Sequence, residues 1–218
     1  MPRGKLIVST RWPAQIVLVR HGQSVGNLAA AEAGRRGADR LDLDFRDADT
    51  PLSETGHQQA GAVGAFLKAG LESDCPELVV SSPYARAAQT AASAVKAWGC
   101  EHELVLDERL RERDLGVFDG LTSAGIRSEY ATEADRRVWL FTHQAVIMSF
   151  RYVLEDLTEQ ELLEIDATTD LPNCSMTSYR AGEGGVDLVR FADTTAVDEA
   201  QTPRTAEPSR AREANHGG

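Results

Sequence analysis

The chain has 218 residues, 42% of them hydrophobic and 26% charged, with a formal net charge of -11 at pH 7. That length suits one domain, or one domain and a tail, with a core of its own. The acidic balance argues against a general binder of nucleic acid or anionic membrane, both of which need a basic surface; an anionic ligand has to be met in a local basic pocket.

Residues 1–14 precede the first element and read as an N-terminal extension. The first apolar run, Ile16 to Val19, ends in Arg20-His21-Gly22. Arg35 and Arg36, flanked by glycines, read as a solvated loop. Pro51-Leu52-Ser53 leads into a helix over Glu54–Leu71, capped by Ser53 or by Thr55 in a capping box with Gln58. A second strand, Leu78 to Val80, ends in Ser81-Ser82-Pro83. There Ser82 as cap and Pro83 in the first turn open a helix over Tyr84–Trp98, packed through Ala87, Ala88, Ala91, Ala92 and Val95. Leu104 to Leu106 is a weak third strand, followed by a charged run from Asp107 to Asp114. A polar helix is expected over Ser123–Arg137, and Val138 to Phe141 is a fourth strand ending in Thr142-His143. Gln144 to Glu155 is an apolar helix, and Thr158 with Glu161 caps a shorter one. Met176 to Tyr179 and Val186 to Phe191 are the last strands, joined as a hairpin through Gly182, Gly184 and Gly185. From Asp193 the chain turns polar, with Pro203 and Pro208, and reads as a disordered tail.

These apolar runs are short, β-branched and without clean alternation, as suits strands buried on both faces. Strands alternating with helices imply an α/β domain with a mostly parallel sheet. The expected organisation is an extension (1–14), one domain (15–192) and a tail (193–218). Cys75, Cys100 and Cys174 are scattered, odd in number and without Cys-x-x-Cys spacing. They read as structural thiols of a reducing compartment. No long apolar run follows Arg3 and Lys5, so a cytoplasmic protein is expected.

Ligands of open α/β sheets bind beyond the carboxyl ends of the strands. Arg20 and His21, then Arg86 one helical turn after Ser82, then His143, are delivered to that rim from distant segments. Glu112 and Arg113 follow the weak third strand. Guanidinium forks match phosphate oxygens, and a neutral imidazole can attack phosphorus and hold it covalently. Glu112 is the best proton donor for the leaving group, with Glu108 as competitor. His57 reads as a solvent contact, and His102 and His216 carry no chemistry in this reading. Spacings such as His-x-His or His-Glu-x-x-His are absent, so a metallohydrolase is a weak alternative.

Arg20-His21-Gly22-Gln23-Ser24 with Asn27 resembles the signature of the histidine phosphatase superfamily, the phosphoglycerate mutase-like proteins. So do, in order, Leu52 to Ala60, Ser81 to Thr90, Glu112 to Gly116, Thr142-His143 and Asn173-Cys174-Ser175. The likeness runs from about Gln15 to Phe191 and implies a three-layer α/β/α fold. It implies that His21 is phosphorylated, that Arg20, Arg86 and His143 bind the phosphoryl group, and that Glu112 is the proton donor and then the base. Asn27 and the backbone of Gly22, Gln23 and Ser24 would contact phosphate oxygens, and Arg113 the rest of the substrate. No metal or other cofactor is implied. The expected partner is a phosphorylated small molecule, with a homo-oligomer left open.

Two departures stand out. Arg113 and His143 lie only thirty positions apart, a stretch that is usually much longer in the family, as if an internal segment were absent. A parallel crossover needs a dozen or more residues, which Gly120 to Arg137 supplies. Gln144-Ala145 stands where glycine is common; the Gln144 amide can still face phosphate from a helix N-terminus. The expected reaction is phosphomonoester hydrolysis. The alternatives are mutase-type transfer, disfavoured by Gln23 and the short middle, and a catalytically impaired phosphate-ligand-binding protein.

Overall fold

The computed structural model describes residues 12–38, 40–70, 75–112, 136–182 and 185–206. The strands are β1 (Gln15–Arg20), β2 (Leu78–Ser81), β3 (Val105–Leu106), β4 (Arg137–Thr142), β5 (Met176–Ala181) and β6 (Val186–Asp193), in the sheet order β3-β2-β4-β1-β5-β6. The first four in that order run parallel, and β5 and β6 complete the sheet antiparallel. The helices are α1 (Val25–Arg36), α2 (Glu54–Gly70), α3 (Ala85–Trp98), α4 (Gln144–Leu154), α5 (Glu159–Thr168) and α6 (Thr195–Glu199). Three-residue 3-10 turns stand at Asp47–Asp49 and Glu108–Leu110.

Successive side chains of a strand point to opposite faces. Val17 and Val19 of β1, with Val79, Trp139 and Phe141, therefore meet α2, α3 and α6 on one side. Ile16 and Leu18, with Val80, Val138 and Leu140, meet α4 and α5 on the other. That makes three layers. Each fully buried large apolar side chain contributes about 1.5–3 kcal/mol, so both faces of β1 and β4 are strongly determined. Gly64 lets α2 lie against α3: a Cβ there would stand 2.0 Å from the Ala94 carbonyl oxygen.

Local chemistry moves several expected boundaries. Arg35 and Arg36 form the last turn of α1 rather than a loop. That helix is set by a reciprocal capping box between Ser24 and Asn27 and closed by Gly37 at φ 61°. Ser53, not Thr55, caps α2, accepting from the Gly56 amide at 3.1 Å. Ser82 does not cap α3, which starts at Ala85 after Tyr84 with no side-chain cap. Ala87, Ala91 and Ala94 are the alanines buried in α3, and Ala92 is exposed. Thr158 and Glu161 form the expected capping box of α5. Arg137 opens β4 and Arg136 is not helical, so the expected helix does not extend to Arg137; Ser123 and the positions up to 135 lie outside the described residues.

The expected disorder from Asp193 does not hold for the first part of the tail. Ala196 and Val197 on α6 are buried in the same cluster as α2 and α3. Two small apolar residues in a polar stretch were too weak a signal to read as a docking face. Residues 207–218 and most of the N-terminal extension lie outside the described residues. Cys75 and Cys100 form a disulfide with Cα atoms 6.2 Å apart, and only Cys174 is a free, buried thiol. The disulfide removes the argument from unpaired thiols to a reducing compartment. Among the described residues, no helix is long and apolar enough to cross a membrane.

Candidate active site

β1, β2 and β4 are adjacent and parallel, so their carboxyl ends open on one rim. Arg20 pairs with Thr142 in register, and the His21 amide extends that pairing, donating to the Thr142 carbonyl at 2.9 Å. His21 and His143 thus leave neighbouring strands side by side, with ring centroids 5.2 Å apart and planes inclined at 61°. Both are buried, as are Arg20 and Arg86.

His21 Nδ1 lies 2.8 Å from the Gly22 carbonyl oxygen. A carbonyl only accepts, so Nδ1 carries the proton and Nε2 keeps its lone pair. Burial holds the His21 pKa well below 6.5, helped by the charges near His143, Arg20 and Arg86, while the Gly22 bond opposes this. The ring is therefore a neutral base at ordinary pH, with one defined nitrogen open to an electrophile.

Arg86 reaches the rim from the first turn of α3. Its Nη1 donates to the Asp47 carbonyl at 2.7 Å and to the Asp47 carboxylate at 3.2 Å, and its Nη2 donates to Glu112. Glu112 Oε2 also stands 3.5 Å from His143 Nδ1. On the far side of that ring, Nε2 lies 3.0 Å from the Ser82 hydroxyl, which accepts from the Tyr84 amide at 3.3 Å. Burial, and next Arg86, push the His143 pKa well below 6.5, Asp47 opposing. Tyr84 walls the group, its ring edge-on to His143 and beneath the Arg86 guanidinium. Arg20 donates through Nη1 to the Leu171 carbonyl.

His21, Arg20, Arg86, Glu112 and His143 thus come together as expected, and Glu108 does not join them, being exposed and paired with Arg111. The backbone of the loop after His21 is placed differently from expectation. The Gly22 amide donates to Thr90 at 2.9 Å, the Gln23 amide to Gln59 at 2.9 Å and the Ser24 amide to Asn27 at 3.0 Å. These donors tie the loop to α3, α2 and α1 rather than facing a phosphate. Asn27 spends Oδ1 on Ser24 and on Asn173, leaving only its Nδ2 donor for a ligand. The Gln144 side chain turns away to Asp166, but α4 starts at Gln144 with no side-chain cap, so its first-turn amides suit an anion. Arg113 lies outside the described residues. Asp47, Ser82 and Thr90 were missed as contributors. Ser82 was legible only as a helix cap, and nothing in the sequence tied Asp47 to Arg86.

Ligand atoms of His21, Glu112 and His143 lie within 4.8 Å of one another, close enough to share a metal ion. Arg20 and Arg86 beside them repel a cation and attract an anion, so the charge balance favours a phosphoryl group.

A family model for the histidine phosphatase superfamily (branch 1) matches residues 16–137, more than half of the chain. The chain belongs to that superfamily. The matched stretch carries His21, Arg86 and Glu112 and stops where β4 begins, ahead of His143. Among curated relatives, the probable phosphoglycerate mutase GpmB of Photorhabdus laumondii is 33% identical over 115 residues, covering 53% of this chain and 45% of that protein. The 2,3-bisphosphoglycerate-dependent phosphoglycerate mutase of Mesorhizobium japonicum is 36% identical over 120 residues, covering 54% and 51%. The chain spans about half the length of these curated relatives. Among solved structures, the phosphoserine phosphatase of Entamoeba histolytica with 3-phosphoglyceric acid superposes with a TM-score of 0.61 at 18% identity, covering 84% of this chain and 98% of that one. The putative phosphohistidine phosphatase SixA of Agrobacterium tumefaciens gives 0.56 at 18% identity, covering 83% and 97%. These superpositions establish a histidine phosphatase fold of the phosphoglycerate mutase type.

Proposed function

We propose that the protein hydrolyses phosphomonoesters in two steps through a phosphohistidine on His21. The observation that carries this reading is the hydrogen bond from His21 Nδ1 to the Gly22 carbonyl. It presents Nε2 of a neutral imidazole as the nucleophile, among Arg20, Arg86 and His143. Superfamily members include phosphatases and mutases, as the relatives' names show.

In the first step His21 Nε2 bonds to phosphorus as the bond from phosphorus to the ester oxygen breaks. Arg20, Arg86 and His143 stabilise charge on the equatorial oxygens. Protonated Glu112 gives its proton to the departing alkoxide. In the second step Glu112, now a carboxylate, takes a proton from water as that water attacks phosphorus. The N–P bond breaks, phosphate leaves, and His21 is again neutral with its proton on Nδ1. A phosphorylated small molecule suits the site, and the net charge of -11 argues against nucleic acid or anionic membrane as partners. Gln23 after Gly22 and the short stretch before His143 favour water over a second alcohol as acceptor.

The test is hydrolysis of p-nitrophenyl phosphate in EDTA by the wild type and by His21→Ala. Metal-free turnover that disappears in the variant is the expected result. A folded wild type that binds orthovanadate or phosphate without turnover would overturn hydrolysis and establish a phosphate-ligand-binding protein.

A further inference from the structure

We infer that Thr205 and Gln59 are positioning residues for His21, joined to it through Asn173 by a directed chain of hydrogen bonds from the C-terminal segment. The inference rests on the reading of His21 as the nucleophile. Gln59 is fully buried on α2. Its Oε1 accepts from the Gln23 amide at 2.9 Å, which fixes the orientation of the side-chain amide. Its Nε2 then donates to the Pro203 carbonyl at 2.7 Å and to the Thr205 hydroxyl at 2.9 Å. Asn173 Oδ1 can only accept, so that hydroxyl donates onward to it at 3.0 Å. Asn173 Nδ2 in turn donates to the His21 carbonyl at 3.1 Å and to Asn27 Oδ1 at 3.3 Å. The Asn173 amide also donates to the Thr205 carbonyl at 2.7 Å, which ties the backbones together.

All the bonds in the chain point the same way, so each polarises the next. The chain ends at both sides of the His21-Gly22 segment: at the His21 carbonyl through Asn173, and at the Gln23 amide through Gln59. The bond from His21 Nδ1 depends on where the Gly22 carbonyl points, and these anchors set that direction. A polar stretch that reads from sequence as a free tail thus acts behind the nucleophile loop, held there by Ala196 and Val197 of α6.

The experiment compares the full chain with Thr205→Val, which removes the hydroxyl at nearly constant shape, and with Thr205→Ser, which restores it. The first readout is steady-state hydrolysis of p-nitrophenyl phosphate. Thr205→Val is expected to lose about tenfold or more in kcat with KM within twofold, and Thr205→Ser to recover most of it. The second readout does not need turnover: nitrogen NMR of the histidine rings. The wild type is expected to show His21 protonated at Nδ1, and Thr205→Val a mixture of tautomers. A folded Thr205→Val with wild-type kcat and a wild-type His21 spectrum overturns the inference. If the wild type lacks activity, the proposed hydrolysis fails, and the NMR comparison alone decides the positioning role. If Thr205→Val does not fold, Thr205→Ala carries the same two readouts without the apolar methyl.

Discussion

Gly22 and Gly56 meet backbone to backbone. A Cβ on Gly22 would stand 2.6 Å from the Gly56 carbonyl oxygen, and a Cβ on Gly56 would stand 2.1 Å from the Gln23 carbonyl oxygen. Neither neighbour is a flexible side chain, so the first turn of α2 and the loop after His21 share a space that admits no methyl group. Gly56→Ala is expected to cost about 1–3 kcal/mol or more and to lower Tm by several degrees. Gly61, on the same helix, has nothing within 4 Å of a built Cβ. Gly61→Ala is expected to stabilise by about 0.4–1 kcal/mol. Thermal unfolding of the two variants checks the contrast, and equal Tm values would contradict it.

The two buried imidazoles give a pH dependence with a definite sign. In the fold, both are held neutral well below 6.5, by burial first and then by neighbouring positive charge. The unfolded chain protonates them near the ordinary value, so below pH 6.5 it binds more protons than the folded one. Their contribution to stability is complete above 6.5 and falls with pH, by up to about 1.4 kcal/mol per pH unit for each histidine. Denaturant unfolding between pH 7.5 and 5.5 reads this slope, and His143→Gln should lessen it. The acid limb of kcat/KM should lie below 6.5, since the free enzyme keeps His21 unprotonated there. A limb above 6.5 would contradict the assignment.

Arg86 holds two carboxylates, one through each Nη. A lysine supplies a point charge without the planar fork. Arg86→Ala is expected to lower kcat/KM by about 10²–10³, and Arg86→Lys to recover little of it. Full recovery with lysine would show that only charge, not geometry, is used there.

The Cys75–Cys100 disulfide closes a loop with a sequence separation of 25. In the chain-entropy account, cross-links over loops of this size contribute about 3 kcal/mol. Trp98 donates through Nε1 to Cys75 Sγ at 3.2 Å and stacks edge-on against Trp139. Mild reduction is expected to lower Tm and to change tryptophan emission together. Unchanged emission on verified reduction would contradict the contact.

The strands and the residues at their carboxyl ends were legible because β1 and β4 are apolar from Ile16 to Val19 and from Val138 to Phe141 and then break abruptly into Arg20-His21 and Thr142-His143. Arg20, His21 and His143 followed from that break, and Arg86 from its place one turn after Ser82. Three features were not legible. α1 lacks an apolar stripe and owes its start to the Ser24–Asn27 box. α6 exposes only two small apolar residues to the sheet layer. The engagement of the Gly22, Gln23 and Ser24 amides depends on Thr90, Gln59 and Asn27; two of these partners come from other helices, so no local pattern announces the pairing.

The loop that presents His21 is anchored by Gln59 across 36 residues, by Thr90 across 68 and by Asn173 across 152. Contacts of such sequence separation close late in folding, after the loops between them have given up their freedom. No peptide around Arg20-His21-Gly22 can hold the shape alone, and no locally opened form can keep it. Activity should therefore be the last property acquired on folding and among the first lost on unfolding.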